Sequence, residues 1–241
     1  PFIEDEWIRS LYNDERKGVQ RALTQWRRRV KKEEERQLSY EKRHQFDRSY
    51  AQNETSIIAG VDEAGRGPLF GPVVTAAVIL PSHTSSLVDE NDSKQLSFEE
   101  RERLEKLIKE EAVAYSIHIQ SARTIDALNI YQATKQSMQL AVEQLAIKPN
   151  LVLTDAMKLE LSIPVVDIVK GDTQSLSIAA ASILAKTTRD RLMREYSVKH
   201  PEYGFERNAG YGTKEHLEAI QLHGILEEHR RTFEPIRSLV K

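Results

Sequence analysis

Two adjacent carboxylates, Asp62 and Glu63, interrupt an apolar stretch of the chain, in the sequence IIAGVDEAGRGPLFGPVV. A carboxylate in apolar surroundings is costly unless a cation or an ion pair compensates its charge. Two further acids, Asp155 in LVLTD and Asp172 in VVDIVKGD, follow apolar runs later in the chain. The sequence therefore raises two alternatives for these acids: a metal centre or structural ion pairs.

The metal alternative predicts a particular chemistry. Strand ends at one edge of a sheet are where α/β folds place their sites, and four carboxylates meeting there repel each other unless cations lie among them. Oxygen ligands in a chain without cysteine favour Mg²⁺ or Mn²⁺ over zinc. Two such ions held by acids are a common arrangement for hydrolysing phosphodiester bonds.

The second alternative explains each acid by itself. A single aspartate at the end of a strand is commonly a helix cap or a turn residue. Asp172 could cap a helix that begins near Thr173, and Asp155 could cap a turn before Lys158. Spacing alone leaves both alternatives open, although the adjacent pair, and the recurrence of an acid at three strand ends, favour the metal.

The tripeptide Gly65-Arg66-Gly67 follows the acid pair directly. Glycines let a backbone approach a ligand closely, and an arginine between them can bind a phosphate through two hydrogen bonds. A tight turn with an exposed arginine is the simpler interpretation of such a tripeptide. Its position beside two candidate metal ligands favours a binding loop.

Composition excludes several classes of function. The chain has 241 residues, 39% hydrophobic and 30% charged, with a formal net charge of -2, so a nucleic-acid surface must be a local patch. The absence of cysteine excludes disulfides, thiolate metal sites and cysteine nucleophiles, and fits a reducing compartment. No apolar run reaches the roughly 18 residues of a membrane span, and no signal peptide is visible. We expect a cytoplasmic protein that does not bind membranes.

The chain divides into two parts near residue 54. Residues 1–53 are rich in charge and carry apolar residues at helical spacing, which predicts a helical extension, folded as a hairpin. Residues 54–241 alternate between strand and helix patterns, which predicts one α/β domain with a mixed sheet flanked by helices. Strands are predicted at 57–62, 73–80, 113–119, 151–155 and 165–172, and helices at 97–112, 124–146, 174–196 and 213–223.

Six motifs within residues 57–236 resemble those of one family, in the family's order. They are GVDEAGRGPLFGPVVTAAVIL, DSKQLS, IDALNIYQAT, KGDTQSLSIAAASILAKTTRDRLM, GYGTKEH and HRRTFEPI. The family is bacterial ribonuclease HII, the type 2 ribonuclease H. The resemblance implies a ribonuclease H-like fold with a C-terminal helical segment, and a divalent-metal endonuclease that acts on RNA paired with DNA.

The resemblance also implies roles for single residues. Asp62, Glu63, Asp155 and Asp172 match the family's four acids, which implies that they are catalytic and hold Mg²⁺ or Mn²⁺. Gly65-Arg66-Gly67 matches the loop that contacts the ribose 2′-OH beside the cut. Tyr211 matches a tyrosine that stacks on the sugar of the following deoxynucleotide.

Two lysines are candidate contacts to the nucleic-acid backbone. Lys94 lies in DSKQLS and Lys186 in the long helix, and solvated lysine is the competing interpretation of each. The family often has a second lysine after Lys94, where this chain has Gln95, and often has His-Lys where this chain has Asn208-Ala209. Both departures remove a positive charge, which weakens the expectation of backbone contacts there.

The function implied is incision of DNA on the 5′ side of embedded ribonucleotides and cleavage of the RNA strand of RNA/DNA hybrids. The products would carry a 3′-hydroxyl and a 5′-phosphate, and the enzyme would act as a monomer in ribonucleotide excision. Two alternatives remain: the sister enzyme ribonuclease HIII, and a non-catalytic nucleic-acid-binding protein on the same fold. Ribonuclease HIII is expected to begin with a small strand-rich domain, and residues 1–53 show no strand pattern.

Overall fold

A five-stranded mixed sheet forms the centre of the protein, as the sequence predicts. The structure is a computed structural model and describes residues 6–53, 55–82 and 97–239. The sheet has the order β3-β2-β1-β4-β5. β1 is antiparallel to β2 and parallel to β4, β2 is antiparallel to β3, and β4 is parallel to β5. The strands are β1 (Ile58–Ala64), β2 (Val73–Ile79), β3 (Ala114–Gln120), β4 (Leu151–Asp155) and β5 (Val165–Ile168).

Ten α-helices surround this sheet in the described part of the chain, joined in places by short 3-10 turns. None of these helices is long and apolar enough to cross a membrane. The helices are α1 (Glu6–Ser10), α2 (Lys17–Ser49), α3 (Phe98–Glu111), α4 (Ala122–Leu128), α5 (Ile130–Glu143), α6 (Gly171–Gln174), α7 (Leu176–Lys199), α8 (Phe205–Asn208), α9 (Lys214–His223) and α10 (Ile236–Leu239).

Helices cover both faces of the sheet. α7 lies on one face, where its alanines and Ile183 pack against Val74 and Val78 of β2. Its first turn crosses β1 at Gly60, where a Cβ atom would stand 2.1 Å from the carbonyl carbon of Ser177. α5 lies on the other face, where Met138 belongs to a core cluster with residues of β1 and β2. The short side chains of α7 thus place that helix unusually close to the strand that carries Asp62.

Two boundaries differ from the sequence prediction. The helix predicted over 124–146 is broken at Asn129, which has a φ of 69° and whose side chain accepts a hydrogen bond from the backbone of Gln132. Asn tolerates the left-handed region and caps helices well, so it ends α4 and begins α5. The strand predicted over 165–172 ends at Ile168, and Asp172 lies in α6.

The N-terminal part is helical as predicted, and its first turns fold back onto the long helix α2, since the guanidinium carbon of Arg27 lies 4.3 Å from the centroid of the Tyr12 ring. A short α1 and a 3-10 turn precede a single helix of 33 residues, α2. Residues 17–49 contain no proline, and their one glycine, Gly18, stands at the start, so nothing in α2 breaks the helix. Phe46 and Tyr50, near the end of α2, pack against a core cluster that contains Ile58 and Ile178. The domain boundary near residue 54 stays a prediction.

Candidate active site

Asp62 and Asp155 lie on neighbouring parallel strands. Val61 of β1 pairs with Thr154 of β4, and each aspartate directly follows its paired residue. Neighbouring positions in parallel strands point their side chains to the same face of a sheet. Asp62 is only 4% exposed, and the hydroxyl of Ser182 on α7 hydrogen-bonds to it. The carboxylates thus lie at one edge and on the face covered by α7.

Asp172 is placed near the same edge of the sheet because the residue before it, Gly171, is hydrogen-bonded to Asp155. The backbone N–H of Gly171 donates a hydrogen bond of 2.7 Å to Oδ1 of Asp155. Asp172 follows immediately, and it is buried. It does not cap α7, because Ser175 holds the cap position and accepts from the N–H of Ile178. The helix-cap explanation of Asp172 is therefore wrong for α7.

Glu63 has one satisfied and one unsatisfied carboxylate oxygen. Nη1 of Arg66 lies 3.3 Å from Oε1 of Glu63. Oε2 is buried and has no hydrogen-bond partner among the described residues. The backbone N–H of Glu63 donates to Oδ1 of Asp62 at 2.7 Å. A buried acceptor oxygen without a donor is costly, and a cation would satisfy it.

Burial and mutual repulsion disfavour the charged forms of the acids at this edge of the sheet. Burial, and then the charge of Glu63, raise the pKa of Asp62 well above its ordinary value, and Asp155 adds to the effect. Burial also raises the pKa of Glu63, while Arg66 opposes that shift. The three acids therefore act on each other electrostatically, and bound positive charge would relieve their repulsion.

The donor chemistry fits a divalent cation, since the candidate ligands are carboxylate oxygens and one of them lacks a donor. Within 6–53, 55–82 and 97–239, however, no three His, Asp or Glu side chains are grouped closely enough to hold a metal ion. An ion bound here would have to draw the carboxylates together. The metal centre of four acids therefore stays a prediction.

The Gly65-Arg66-Gly67 loop begins where β1 ends. Gly65 has a φ of 93°, and a Cβ atom there would stand 2.0 Å from Nε of Arg189, so no other residue fits without a shift. The side chain of Arg66 is 42% exposed. A Cβ at Gly67 would lie 3.3 Å from Cε1 of Tyr211. The loop and the tyrosine predicted to bind the substrate are therefore neighbours.

Tyr211 presents its ring to solvent from a firmly held backbone. The residue is 49% exposed, and its N–H donates to the carbonyl of Asn208 at 2.9 Å. Asn208 is buried; its Nδ2 donates to the carbonyl of Tyr203 at 2.7 Å, and its Oδ1 accepts from the N–H of Gly210 at 2.8 Å. The residue that departs from the family's usual histidine thus shapes the turn before Tyr211.

The two candidate lysines have different outcomes. Nζ of Lys186 lies 2.6 Å from Oδ1 of Asp190, one turn further along α7. Nη2 of Arg101 binds the other oxygen of Asp190 at 3.0 Å. Lys186 is therefore held within an ion-pair network, and its contact with substrate stays a prediction. Lys94 lies outside the described residues.

Comparison with known proteins decides the family. A model described as Ribonuclease HII matches residues 59–235, and a second, described as Ribonuclease HII N-terminal domain, matches residues 2–51. This chain belongs to the ribonuclease HII family. The two matched segments lie on either side of the boundary expected near residue 54.

Individual relatives agree with this family assignment. Ribonuclease HII of Bacillus cytotoxicus is 51% identical over 238 residues, which cover 99% of this chain and 92% of that protein. The crystal structure of ribonuclease H2 from Pyrococcus horikoshii OT3 matches with a TM-score of 0.67 and 28% identity, over 76% of this chain and 96% of that one. A structure of Bst-RNase HIII in complex with Mn²⁺ matches with a TM-score of 0.61 and 20% identity, over 78% of this chain and 70% of that one. The predicted ribonuclease H-like fold is confirmed, and the protein is a metal-dependent endoribonuclease.

Sequence reasoning missed the role of four buried side chains that hold the loops of this ribonuclease HII site. Two are arginines, Arg189 and Arg230, and two are histidines, His216 and His229, all at most 1% exposed. Their partners are backbone groups and each other, so no pattern of paired opposite charges in the sequence marks them. The one available signal is that all four lie in motifs shared with the family: Arg189 in KGDTQSLSIAAASILAKTTRDRLM, His216 in GYGTKEH, and His229 and Arg230 in HRRTFEPI.

Proposed function

We propose that this protein incises DNA on the 5′ side of embedded ribonucleotides and cleaves the RNA strand of RNA/DNA hybrids, leaving 3′-hydroxyl and 5′-phosphate ends. One observation carries the proposal. Three acids that act on each other electrostatically lie beside a glycine-flanked arginine loop, and that loop touches an exposed tyrosine. Phosphate chemistry, ribose recognition and sugar stacking can therefore occur within one short stretch of substrate.

Asp62, Glu63, Asp155 and Asp172 are the residues that would hold Mg²⁺ or Mn²⁺. When bound, such ions activate the attacking water and stabilise the leaving oxygen. Asp62 and Asp155 are fixed by their strands, and the N–H of Gly171 orients Asp155. Oε2 of Glu63, which has no hydrogen-bond partner among the described residues, would be a further ligand atom for the ion.

The loop and the tyrosine would select the substrate. The 2′-OH is the group that separates RNA from DNA at a given nucleotide, and reading it requires donors or acceptors at close range. The glycines on either side of Arg66 allow such an approach. The ring of Tyr211 would stack on the next sugar, where a 2′-OH would press against the ring, so a deoxyribose is preferred there. This gives a preference for an RNA-to-DNA step, which we term the junction preference.

Cleavage of three duplexes tests the proposal. One carries a single ribonucleotide, one has an all-RNA strand, and one is entirely DNA. We expect Mg²⁺-dependent cleavage of the first two, with the higher kcat/KM on the first, and no cleavage of the third. EDTA should abolish the reaction. Cleavage of the all-DNA duplex at a comparable rate, or no cleavage of the first duplex with Mg²⁺ or Mn²⁺, would refute the proposal.

The two alternatives are less well supported. Residues 6–53 contain helices and no strand, whereas a small strand-rich domain is expected to begin ribonuclease HIII. A non-catalytic protein would have no use for a buried acid pair whose charges repel, since burying them costs stability. We further propose a monomer that acts in the cytoplasm, for which the absence of cysteine is weak support.

A further inference from the structure

The segment that contains His229 and Arg230 lies between the two substrate loops. The N–H of Arg230 donates to the carbonyl of Leu69 at 2.8 Å, and the N–H of Gly71 donates to the carbonyl of Glu228 at 2.9 Å. The N–H of Leu69 in turn donates to the carbonyl of Gly210 at 2.8 Å. Residues 228–230, the chain after the arginine loop and the turn before Tyr211 are therefore joined by backbone hydrogen bonds.

The buried side chain of Arg230 binds the backbone of Gly65-Arg66-Gly67, the arginine loop. Its Nη2 donates to the carbonyl of Gly65 at 2.6 Å, and its Nη1 donates to the carbonyl of Arg66 at 2.8 Å. Its Nε donates to the carbonyl of Gly71 at 3.0 Å. The planar guanidinium thus binds the first two residues of the loop and Gly71 beyond it with one rigid group. Burial, and then the charge of Arg189, lower the pKa of Arg230 to about 9.

His229 reaches Tyr211 through His216. The N–H of Leu226 donates to Nδ1 of His229 at 2.8 Å, so a neutral His229 carries its proton on Nε2. That nitrogen faces Nε2 of His216 at 3.2 Å. Nε2 of His216 must then accept the hydrogen bond from His229. The proton of neutral His216 is therefore on Nδ1, which donates to the carbonyl of Tyr211 at 2.9 Å. The chain of donors fixes the tautomer of both rings.

Burial favours the neutral form of both rings. Burial lowers the pKa of His216, and burial and then the neighbouring His216 lower the pKa of His229 to about 4. Protonation of His216 would place two donors against each other across the 3.2 Å contact, and protonation of His229 would place an Nδ1–H against the N–H of Leu226. The hydrogen-bonded chain is therefore intact at neutral pH.

We propose that His229, Arg230 and His216 are positioning residues that hold the arginine loop and Tyr211 in the register needed to recognise an RNA-to-DNA junction. This inference rests on the proposed function, because it assigns those two features to the substrate. The three residues themselves are fully buried, so they act through the loops and not on the nucleic acid. Their effect should therefore appear in cleavage beyond any effect on stability: in the junction preference for the histidines that hold Tyr211, and in kcat for Arg230, which holds the loop beside the acids.

Two substitutions with matched controls test this role. His216→Gln keeps a long polar side chain but moves the donor away from Tyr211, and Arg230→Lys keeps the charge but loses the planar fork. His223→Gln, on the same helix, and Arg231→Lys, the next residue, are controls because both residues are exposed. The readouts are kcat/KM on the single-ribonucleotide and all-RNA duplexes and the midpoint of thermal unfolding.

We expect His216→Gln to lower the junction preference about tenfold, the lower end of what a displaced stacking ring costs. In the Tyr211→Ala background the same change should cause no further fall, since the ring that it positions is gone. Arg230→Lys should lower kcat on both duplexes about tenfold or more, with a smaller change in KM, because the loop beside the acids is displaced. The two controls should match the wild type.

Three results would overturn the inference. One is an unchanged junction preference in a folded His216→Gln variant. Another is an equal loss from His216→Gln with and without the ring of Tyr211. The third is wild-type kcat in Arg230→Lys. If a variant does not fold, ¹⁵N NMR of the wild type decides. A protonated ring in His216 or His229 at neutral pH, or the opposite tautomer of either, would contradict the hydrogen-bonded chain from His229 to Tyr211. A wild type that cleaves neither duplex would instead refute the proposed function itself.

Discussion

At the scale of single residues, the acid pair at the end of β1 is held in an environment that opposes its own charge. Asp62 is nearly fully buried, Glu63 has a buried oxygen without a donor, and Asp155 is their neighbour on β4. Such an arrangement lowers the stability of the protein without a bound cation, and it favours cation binding.

Asp62→Asn tests the metal role directly. The variant keeps the size of the side chain and loses its charge, so we expect at least about a hundredfold lower cleavage rate in Mg²⁺. We also expect Mg²⁺ to raise the thermal midpoint of the wild type and not that of the variant, because an ion that binds only the folded state stabilises it. Asp167→Asn, an exposed position on β5, is the control. Equal stabilisation of Asp62→Asn and the wild type would mean that Asp62 is not a ligand.

Tyr211 offers a second test at this scale. Tyr211→Phe should be mild because the ring performs the stacking, whereas Tyr211→Ala should cost about 1–3 kcal/mol on the junction substrate, or roughly one to two powers of ten in rate. The loss on the all-RNA duplex should be smaller. Equal losses on both substrates in the alanine variant would show that Tyr211 only supports the fold.

At the scale of elements, the end of α2 stabilises the start of α7. Oδ2 of Asp47 accepts the backbone N–H of Ser177 at 2.8 Å, in the first turn of α7. A carboxylate at this position satisfies an N–H that the helix itself leaves unpaired. Because α6 and Asp172 immediately precede α7, the N-terminal extension helps to fix the side of the site that carries Asp172.

Substitutions at Asp47 should separate charge from hydrogen bonding. Asp47→Ala should lower the free energy of unfolding by about 1–2 kcal/mol, since it leaves the N–H of Ser177 without its acceptor. Burial raises the pKa of Asp47, so the charged form is disfavoured in the folded state. Asp47→Asn, which keeps an acceptor, should therefore be at least as stable as the wild type at neutral pH. Urea unfolding measures both, with Glu41→Ala, exposed on α2, as control. A loss in the asparagine variant as large as in the alanine variant would show that the charge matters more.

His216 and His229 link α9 to the segment around His229, and they predict that the protein loses stability at acid pH. Unfolded histidine titrates near pH 6.5, while the pKa of His229 in the fold is about 4. Between these values the unfolded chain binds more protons, so stability is complete above about pH 6.5 and is lost as the pH falls towards 4. For His229 alone the loss is at most about 3 kcal/mol.

Urea unfolding at about pH 7, 6 and 5 measures this contribution. His229→Gln should weaken the pH dependence, and His223→Gln, an exposed position, should leave it unchanged. Carboxylates also titrate in this range, so the comparison between variants carries the conclusion. The same slope in all three proteins would exclude His229 as its source.

Elements with strong local signals were predictable from the sequence. The capping box of Ser97 and Glu100 is present in α3 with both of its hydrogen bonds. The apolar runs predicted all five strands, and with them the sheet edge at which Asp62 and Asp155 lie. The break at Asn129 was missed because an isolated asparagine in a helical pattern is a weak signal.

The support of the site was not predictable by the same reasoning. Arg189 donates to the carbonyls of Pro72, Ala209 and Phe70, which are distant in the sequence and share no residue type. Hydrogen bonds to backbone carbonyls place no requirement on the partner's side chain, so they leave no pattern to recognise. The roles of the four acids came from the family resemblance, since spacing alone left the ion-pair alternative open.

At the scale of the whole molecule, charge is distributed unevenly. The net charge is only -2, but α2 carries an exposed basic run from Arg27 to Lys32. Glutamates 33–35 follow at once, and Lys31 and Glu35 form an exposed ion pair of 3.9 Å. The basic run is therefore a local candidate for contacts with duplex phosphates outside the active site.

Replacing Arg28, Arg29 and Lys32 by glutamine tests this contact. We expect weaker duplex binding, a smaller dependence of affinity on salt, and cleavage at the same position, because phosphate contacts carry no sequence or sugar information. Substitution is preferable to deletion of residues 1–53, since deletion also removes Asp47 and the packing of Phe46. Unchanged affinity and salt dependence would leave the extension with another role.

The length of α2 has a consequence for hydrodynamic measurement. Its 33 residues correspond to a rod of about 50 Å, and between residues 17 and 39 Leu23 is its one buried side chain. A chain of 27.6 kDa that carries such a rod experiences more friction than a sphere of equal mass. A monomer will therefore elute from a sizing column ahead of globular standards, at the position of a larger particle. Its oligomeric state has to be measured by a method insensitive to shape, such as light scattering.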